Sequence, residues 1–189
     1  MINLIYLNLC TMKYLLVYSS RFGYTLKIAR TLEAQWTAAG ITVDIVNLAD
    51  DPFIQQGEYD KIIIGASIRY GHYASQLAPW IERHQQILSN TPSAFFSVSI
   101  LANKPHRSTP QTHTYTRKFF TKSPWRPQLI GIFAGELHYA KYNLLDRYMM
   151  RLVMKLNKGE TRLDAHIEYT DWQKVRDFGE QIRTLQLKK

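Results

Sequence analysis

The chain has 189 residues, a net charge of +9 at pH 7 and 46% hydrophobic residues, which fits one domain with a core of its own. Its single cysteine, Cys10, excludes an intrachain disulfide and leaves a reduced cytoplasm as the default compartment. The apolar start is about half the ~20 residues of a spanning helix and lacks a basic region and a cleavage site, which argues against a spanning or secreted protein.

We expect a single domain over residues 12–189, because Met12 directly precedes the first predicted strand; residues 1–11 are an N-terminal extension to which we assign no function. The predicted strands are residues 13–19, 41–45, 61–66, 94–100 and 129–134. Helices are predicted after strand one, around residues 77–88 and from a Thr170-x-x-Gln173 capping box onward. Five strands alternating with helices predict an α/β fold with an open, doubly wound parallel sheet.

Two segments are additional to the strands and helices that a minimal fold of this kind needs. Residues 101–127 form a long insertion after strand four, with one short helix predicted near residues 115–120. Residues 142–158 predict a helix with a wide apolar face and a polar stripe of Asn143, Arg147, Arg151, Lys155 and Lys158.

Residues 83–158 carry 12 basic and 2 acidic side chains, and so hold the excess positive charge. This asymmetry favours an anionic partner, either nucleic acid, an anionic membrane surface or an acidic small molecule; a solvated basic face is the alternative.

Strand one ends in a turn of small and hydroxyl residues at the start of a helix: Ser19, Ser20, Arg21, Phe22, Gly23, Tyr24 and Thr25. A helix N-terminus offers unpaired N–H donors and a positive dipole end, which suits a phosphate monoester. The same residue types also cap helices that bind nothing. Because the turn has neither the glycine pattern of dinucleotide folds nor a P-loop lysine, a mononucleotide such as flavin mononucleotide (FMN) fits best.

The turn after strand three and the end of strand four are expected to face this loop, because the carboxyl ends of neighbouring strands line one crevice. Tyr70 and Tyr73 are candidates to stack on a planar ring, and Gly71 allows close backbone approach; a tyrosine-containing surface turn is the alternative. The candidate cofactor-binding residues here are Ser67, Ile68, Arg69, Tyr70, Gly71, Ser97, Ser99, Ile100 and Leu101. No metal site is predicted.

More specific strings accompany these loops. They are SSRxGxT at 19–25, IGASIRYGHY at 64–73, PSAFFSV at 92–98, KP at 104–105, TPQT at 109–112, RKF at 117–119, WRP at 125–127 and YTDW at 169–172. Together they resemble the quinone-dependent protoporphyrinogen IX dehydrogenases of bacterial haem synthesis, a flavodoxin-like family, over essentially all of residues 12–185. The resemblance implies a sheet order of 2-1-3-4-5, one non-covalent FMN and a long insertion that electron-carrier flavodoxins lack. Phe22 and Tyr24 depart from the polar residues expected in the phosphate loop.

The resemblance also implies an activity: oxidation of protoporphyrinogen IX to protoporphyrin IX in three two-electron steps, with electrons passed to a membrane quinone, either menaquinone or ubiquinone. FMN carries that chemistry and the protein supplies binding and electrostatics. Lys and Arg suit the substrate's two propionates, so the substrate-side candidates are Lys104, Arg107, Arg117, Lys118 and Arg126. His72 is the one candidate for proton transfer, although a lone histidine in a turn is more often structural. We expect the insertion to serve the substrate but to be dispensable for the fold and for flavin.

A quinone resides in the bilayer, so we expect peripheral binding at the inner face of the cytoplasmic membrane through residues 142–158 and the basic insertion. Packing of the helix's apolar face against the sheet is the alternative.

Two other functions stay open. A nucleic-acid-binding domain explains the charge but leaves the loops without a role, so no nucleic acid is expected. A flavodoxin-like electron carrier or quinone reductase explains the loops but not the basic insertion.

Overall fold

A parallel five-stranded sheet lies at the centre of the protein. The structure is a computed structural model that describes residues 11–187. The sheet has the order β2-β1-β3-β4-β5, and all neighbouring strands are parallel. Its strands are β1 (Lys13–Ser19), β2 (Thr42–Asn47), β3 (Lys61–Ser67), β4 (Ser93–Val98) and β5 (Leu129–Phe133). The predicted doubly wound fold and strand order are therefore confirmed.

Helices cover both faces of this sheet. They are α1 (Tyr24–Ala38), α2 (Leu77–Arg83), α3 (Gln85–Asn90), α4 (Thr114–Lys122) and α6 (Trp172–Thr184). A further helix, α5 (Leu144–Leu156), packs in a separate cluster. α1 and α6 pack on one face, where Trp36 and Phe178 belong to the same buried cluster. α2, α3 and α4 pack on the other face together with Trp125. Because both faces are covered, the central strands β3 and β4 are buried almost from end to end, as their apolar sequences predict.

Two predicted helices differ in detail. The helix expected around residues 77–88 is divided at His84 into α2 and α3. The final helix α6 is capped by Asp171, whose carboxylate accepts a hydrogen bond from the Lys174 amide (3.0 Å). The predicted capping box at Thr170 is wrong, because the Thr170 hydroxyl donates instead to the Ala134 carbonyl (2.7 Å) just beyond β5.

A short antiparallel ribbon of β6 (Glu136–His138) and β7 (His166–Glu168) lies beyond the sheet. The sequence does not predict it, because strands of three residues show no usable periodicity. The ribbon supports α5: Leu137, Tyr139 and Met154 belong to one buried cluster between them. Across residues 11–187, no helix has both the length and the apolar character needed to cross a membrane.

Candidate functional site

A cavity of about 330 Å³ opens at the carboxyl ends of β1, β3 and β4. The strand register brings these ends level, since Ser19 pairs with Ala66 and Ser67 pairs with Val98. The loops after the three strands form most of the wall, and α4, α5 and the β5–β6 connection complete it. All the predicted cofactor-binding residues line the cavity except Ser19, Gly23 and Ser97.

The loop after β1 presents the amino end of α1 to the cavity. Gly23 takes a left-handed conformation (φ +83°) at the N-cap, which favours glycine, and this N-cap residue itself offers no capping side chain. The Ser20 hydroxyl accepts a hydrogen bond from the Thr25 amide (3.2 Å). The Thr25 hydroxyl is fully buried at the cavity wall and has no hydrogen-bond partner within residues 11–187. An unpaired buried hydroxyl beside a free helix N-terminus fits the phosphate of FMN, whose oxygens accept such bonds.

Phe22, the aromatic departure in this loop, has a packing role. Its ring lies 4.9 Å from the ring of Tyr142, centroid to centroid, and both residues line the cavity. Phe22 also packs against the buried cluster under α5, together with Met150. Phe22 thus joins the phosphate loop to Tyr142, which lies just before α5, and to the buried cluster under that helix.

The loop after β3 makes a tight turn over the cavity. Arg69 and His72 exchange backbone hydrogen bonds of 2.8 and 2.9 Å, and the two residues between them, Tyr70 and Gly71, both have positive φ (49° and 80°). Tyr115 of α4 packs on Gly71, because a Cβ there would lie 3.0 Å from the Tyr115 ring. Tyr70, Gly71 and Tyr115 therefore form one edge of the cavity. The candidate proton carrier His72 is exposed and does not line it.

Tyr73, the other predicted stacking residue, points away from the cavity. Its hydroxyl donates to the Ser97 hydroxyl (2.8 Å) and bonds the Thr116 hydroxyl (2.7 Å), which also bonds Nδ1 of His113 (2.7 Å). Burial raises the pKa of Tyr73 to about 12, and burial with help from nearby Arg107 lowers the pKa of His113 to about 4. Both groups are neutral at pH 7, so this chain of bonds joins β4 to the insertion. Ser97 therefore bonds Tyr73 and does not line the cavity.

None of the five basic substrate-side candidates lines the cavity. Arg117 and Lys118 are exposed on α4. Arg107 donates to the Asn157 side chain (3.2 Å) at the end of α5, and Arg126 donates to the Ser123 and Trp125 carbonyls. The fifth candidate, Lys104, is half-buried before a short helical turn. The cation of the phosphate loop, Arg21, is exposed at the cavity instead.

The insertion is part of the core, contrary to the sequence-based expectation that the fold does not need it. Trp125 is fully buried and its indole N–H donates to the Ser93 hydroxyl (3.1 Å). Phe120 packs edge-on against Phe95 of β4 at 5.1 Å between ring centroids. The short helix predicted near residues 115–120 is confirmed as α4, and the aromatic residues of the insertion cover one face of the sheet. Removing residues 101–127 would uncover that face.

α5 forms part of the cavity wall. Asn143 is its N-cap, so the helix begins at Leu144 rather than at the predicted Tyr142. Met149, Met150 and Val153 face the cavity. Met154 packs in the buried cluster with Leu137 and Tyr139. The remaining apolar residues are exposed, with exposed fractions of 71% for Leu144, 69% for Leu145, 60% for Tyr148, 50% for Leu152 and 75% for Leu156. The alternative of an ordinary core helix is therefore wrong for this face.

Asp146 fastens α5 to the loop after β3. Its buried carboxylate accepts hydrogen bonds from the Arg69 guanidinium and the Tyr70 hydroxyl. Burial would raise the pKa of Asp146, but these two bonds and the charge of Arg69 outweigh it and hold the pKa below its ordinary value. Sequence reasoning missed Asp146, Tyr115 and Tyr142. The isolated acid in a basic, apolar helix was the available signal for Asp146.

A second cluster of chemically active side chains lies on the β6–β7 ribbon. Glu136, His138 and His166 place ligand-capable atoms within 4.8 Å of one another. Glu136 lines the cavity and is engaged by Lys141 (2.7 Å) and His166 (3.1 Å). Burial would raise the pKa of Glu136, but these partners hold it below its ordinary value. Glu136 is thus an ionised carboxylate in the cavity wall.

Comparison with known proteins agrees with this architecture. A flavodoxin-domain family model matches residues 15–164. Protoporphyrinogen IX dehydrogenase [quinone] of Escherichia coli K12 is 42% identical over 174 residues, which cover 92% of this chain and 96% of the relative. A Leishmania major protein with the same name is 40% identical over 176 residues, covering 93% of this chain and 76% of the relative.

Among solved structures, oxidised flavodoxin 1 from Bacillus cereus superposes with a TM-score of 0.53 at 14% identity, covering 91% of this chain and 97% of the flavodoxin. At that identity the likeness concerns the fold. The chain belongs to the flavodoxin-domain family and, within it, to the family of the protoporphyrinogen IX dehydrogenases [quinone]. The resemblance drawn from its sequence strings is confirmed.

Proposed function

We propose that this chain is an FMN-dependent oxidoreductase that converts protoporphyrinogen IX to protoporphyrin IX and passes the electrons to a quinone. The observation that carries the proposal is a cavity with a phosphate-binding end on a chain 42% identical to dehydrogenases of that name. The placement of each group on the cavity wall is part of the proposal.

The Thr25 hydroxyl, the Ser20 hydroxyl and backbone amides at the start of α1 would hold the phosphate of FMN. The loops after β3 and β4, with Tyr70 and Gly71 at one edge of the cavity, would hold its ring system. When bound, FMN supplies the two-electron redox chemistry. The protein positions the reacting groups, and the aromatic and methionine residues of the wall keep water from the ring.

Substrate recognition relies on the positive charge around the cavity. Arg21 is exposed at the rim and suits a propionate carboxylate by a bidentate pair. The insertion contributes Tyr115 to the wall and the exposed cations Arg117 and Lys118 to the nearby surface. These surface cations raise the local concentration of a dianionic substrate rather than contact it in the cavity. Tyr115 would hold the porphyrinogen ring system in the cavity, and the hydrogen removed from it would pass to bound FMN and its electrons to the quinone.

The chain binds the inner face of the cytoplasmic membrane peripherally through α5. The exposed apolar stripe of this helix has Arg147, Arg151 and Lys155 along one side. Such a helix lies in the plane of the interface with its apolar face among the lipids and its cations at anionic headgroups. Each basic residue near that surface contributes ~1 kcal/mol. The quinone acceptor is then within reach of the cavity.

One assay tests the enzyme function. The purified chain is examined for the visible absorbance of FMN and is then mixed with protoporphyrinogen IX and a quinone without oxygen, while porphyrin fluorescence is followed. We expect flavin absorbance and quinone-dependent formation of porphyrin. A yellow protein that reduces quinones but leaves porphyrinogen untouched would support the carrier or quinone reductase instead. A colourless protein that cannot be loaded with FMN would contradict the cofactor assignment.

Vesicle sedimentation tests the membrane function separately. Wild-type protein is expected to sediment with anionic vesicles and to be released by salt. Replacing both Arg151 and Lys155 by glutamate should weaken binding by tenfold or more, because each reversal turns an attraction of ~1 kcal/mol into a repulsion. The matched control reverses Arg176 and Arg183 on α6, far from the exposed stripe of α5. Equal binding of the two double variants would contradict the role of α5.

A further inference from the structure

α5 takes part in two surfaces at once, and Met149 belongs to both. The Met149 side chain lines the cavity and is also 38% exposed to solvent. One turn further along the helix, Val153 faces the cavity; one turn back, Leu145 lies on the exposed stripe. The apolar wall of the cavity therefore continues over Met149 onto the outer face of the protein without a charged residue in between.

The cavity lining has a polar part and an apolar part. The phosphate loop contributes the Ser20 and Thr25 hydroxyls. Ile100, Leu101 and the α5 residues Met149 and Val153 contribute apolar side chains. A ligand held here is polar toward the phosphate loop and apolar where it leaves the protein over α5.

We propose that the strip formed by Val153, Met149, Leu145 and Leu152 holds the polyprenyl tail of the quinone acceptor, so that the quinone enters from the bilayer over α5. This inference rests on the proposed function, since it names the path of the acceptor. A polyprenyl chain is thin, uncharged and flexible, and methionine side chains adapt to such irregular apolar chains. The one acid in this part of the helix, Asp146, is turned inward to Arg69 and leaves the strip neutral.

The strip also explains why α5 leaves large side chains in solvent beside the cavity. In a peripheral orientation Leu145 and Leu152 lie at the level of the acyl chains, where a membrane quinone keeps its tail. The quinone ring then enters the cavity over Met149 without crossing water, and the tail behind it extends along the strip into the lipid.

The test compares a quinone with a long polyprenyl tail and its tailless analogue in neutral detergent micelles, so that binding to anionic lipid plays no part. The readout is the ratio of kcat/KM for the tailed quinone to that for the tailless one, with porphyrinogen held constant. In Met149→Glu this ratio should fall about tenfold, because a carboxylate at the edge of the cavity opposes burial of the apolar tail. Met149→Leu should restore the ratio. Titration of each quinone against the protein's tryptophan fluorescence should show the same selective loss in affinity.

Leu144→Glu is the matched control, because it adds the same charge to an exposed leucine of the same helix that does not line the cavity. We expect it to keep the wild-type ratio. A ratio that is unchanged in Met149→Glu, or that falls equally in both variants, would overturn the tail path. Wild-type turnover with the tailless quinone establishes the proposed function independently, so a failed tail path and a failed enzyme function give different results.

Discussion

Replacing Thr25 by valine should separate cofactor binding from folding. The Thr25 hydroxyl is fully buried without a partner within the described part of the chain, so in the protein alone it contributes an unsatisfied polar group. Valine has nearly the same shape and removes that hydroxyl. Stability of the FMN-free protein should therefore stay equal or rise by about 1 kcal/mol, whereas most core substitutions are destabilising.

The affinity for FMN should change in the opposite direction. A hydrogen bond to a charged phosphate oxygen contributes about 1.5–3 kcal/mol, so its loss should weaken binding about 10- to 150-fold. FMN fluorescence titration gives the dissociation constant, and urea unfolding of the FMN-free protein gives the stability.

The control is Thr31→Val on the same helix, because the Thr31 hydroxyl already donates to the Lys27 carbonyl (3.0 Å) away from the cavity. This variant should bind FMN like the wild type. The phosphate assignment would be refuted if Thr25→Val bound FMN within about twofold of the control, or if its FMN-free form lost stability as a core variant does.

Three further predictions concern packing, pH and the cavity. Gly65→Ala should lower stability by about 1–3 kcal/mol in thermal unfolding, because the new Cβ would lie 2.1 Å from the Phe96 ring on the neighbouring strand; an unchanged Tm would contradict this packing. The lowered pKa of Asp146 stabilises the protein above about pH 4, and this contribution is lost as the pH falls through the pKa of the folded state. In urea unfolding, Asp146→Asn should therefore lose less stability in acid than the wild type does. Equal losses of stability in the two proteins would refute this. Tyr115→Leu should reduce kcat/KM for porphyrinogen about 2- to 10-fold by removing an aromatic contact, with circular dichroism confirming the fold; full activity would exclude Tyr115 from the substrate wall.

The sequence predicts the parts of this protein that follow from periodicity. The uniformly apolar runs of β3 and β4 require cover on both faces, and the four-residue spacing of Ile28, Leu32 and Trp36 places α1 on the sheet. The position of the phosphate loop can also be predicted, because a small-residue turn between a strand and a helix has a fixed position at the sheet edge.

Features that depend on contacts between distant segments were not predicted. The length of the insertion, its lack of acids and its position after a flavin-binding strand predict that the fold does not need it, yet Trp125 bonds Ser93 and belongs to the core. The basic residues of the insertion are predicted at the substrate, but a sequence does not show which way a charged side chain points. The insertion residue that lines the cavity is Tyr115. The bond of Asp146 to Arg69 joins residues 77 positions apart, which no local pattern reveals.

The distribution of acids explains how one segment serves both the cavity and an anionic surface. Residues 83–158 contain two acids, Glu136 and Asp146, and both line the cavity wall. Each is engaged by a cation, Lys141 for the first and Arg69 for the second. Both acids of this segment are therefore paired at the cavity wall. No acid of the segment is left to neutralise the exposed cations of α4 and α5. A field that is positive outside attracts a dianionic substrate and anionic lipid alike, so the same arrangement that fastens α5 over the cavity also directs its outer face toward the membrane.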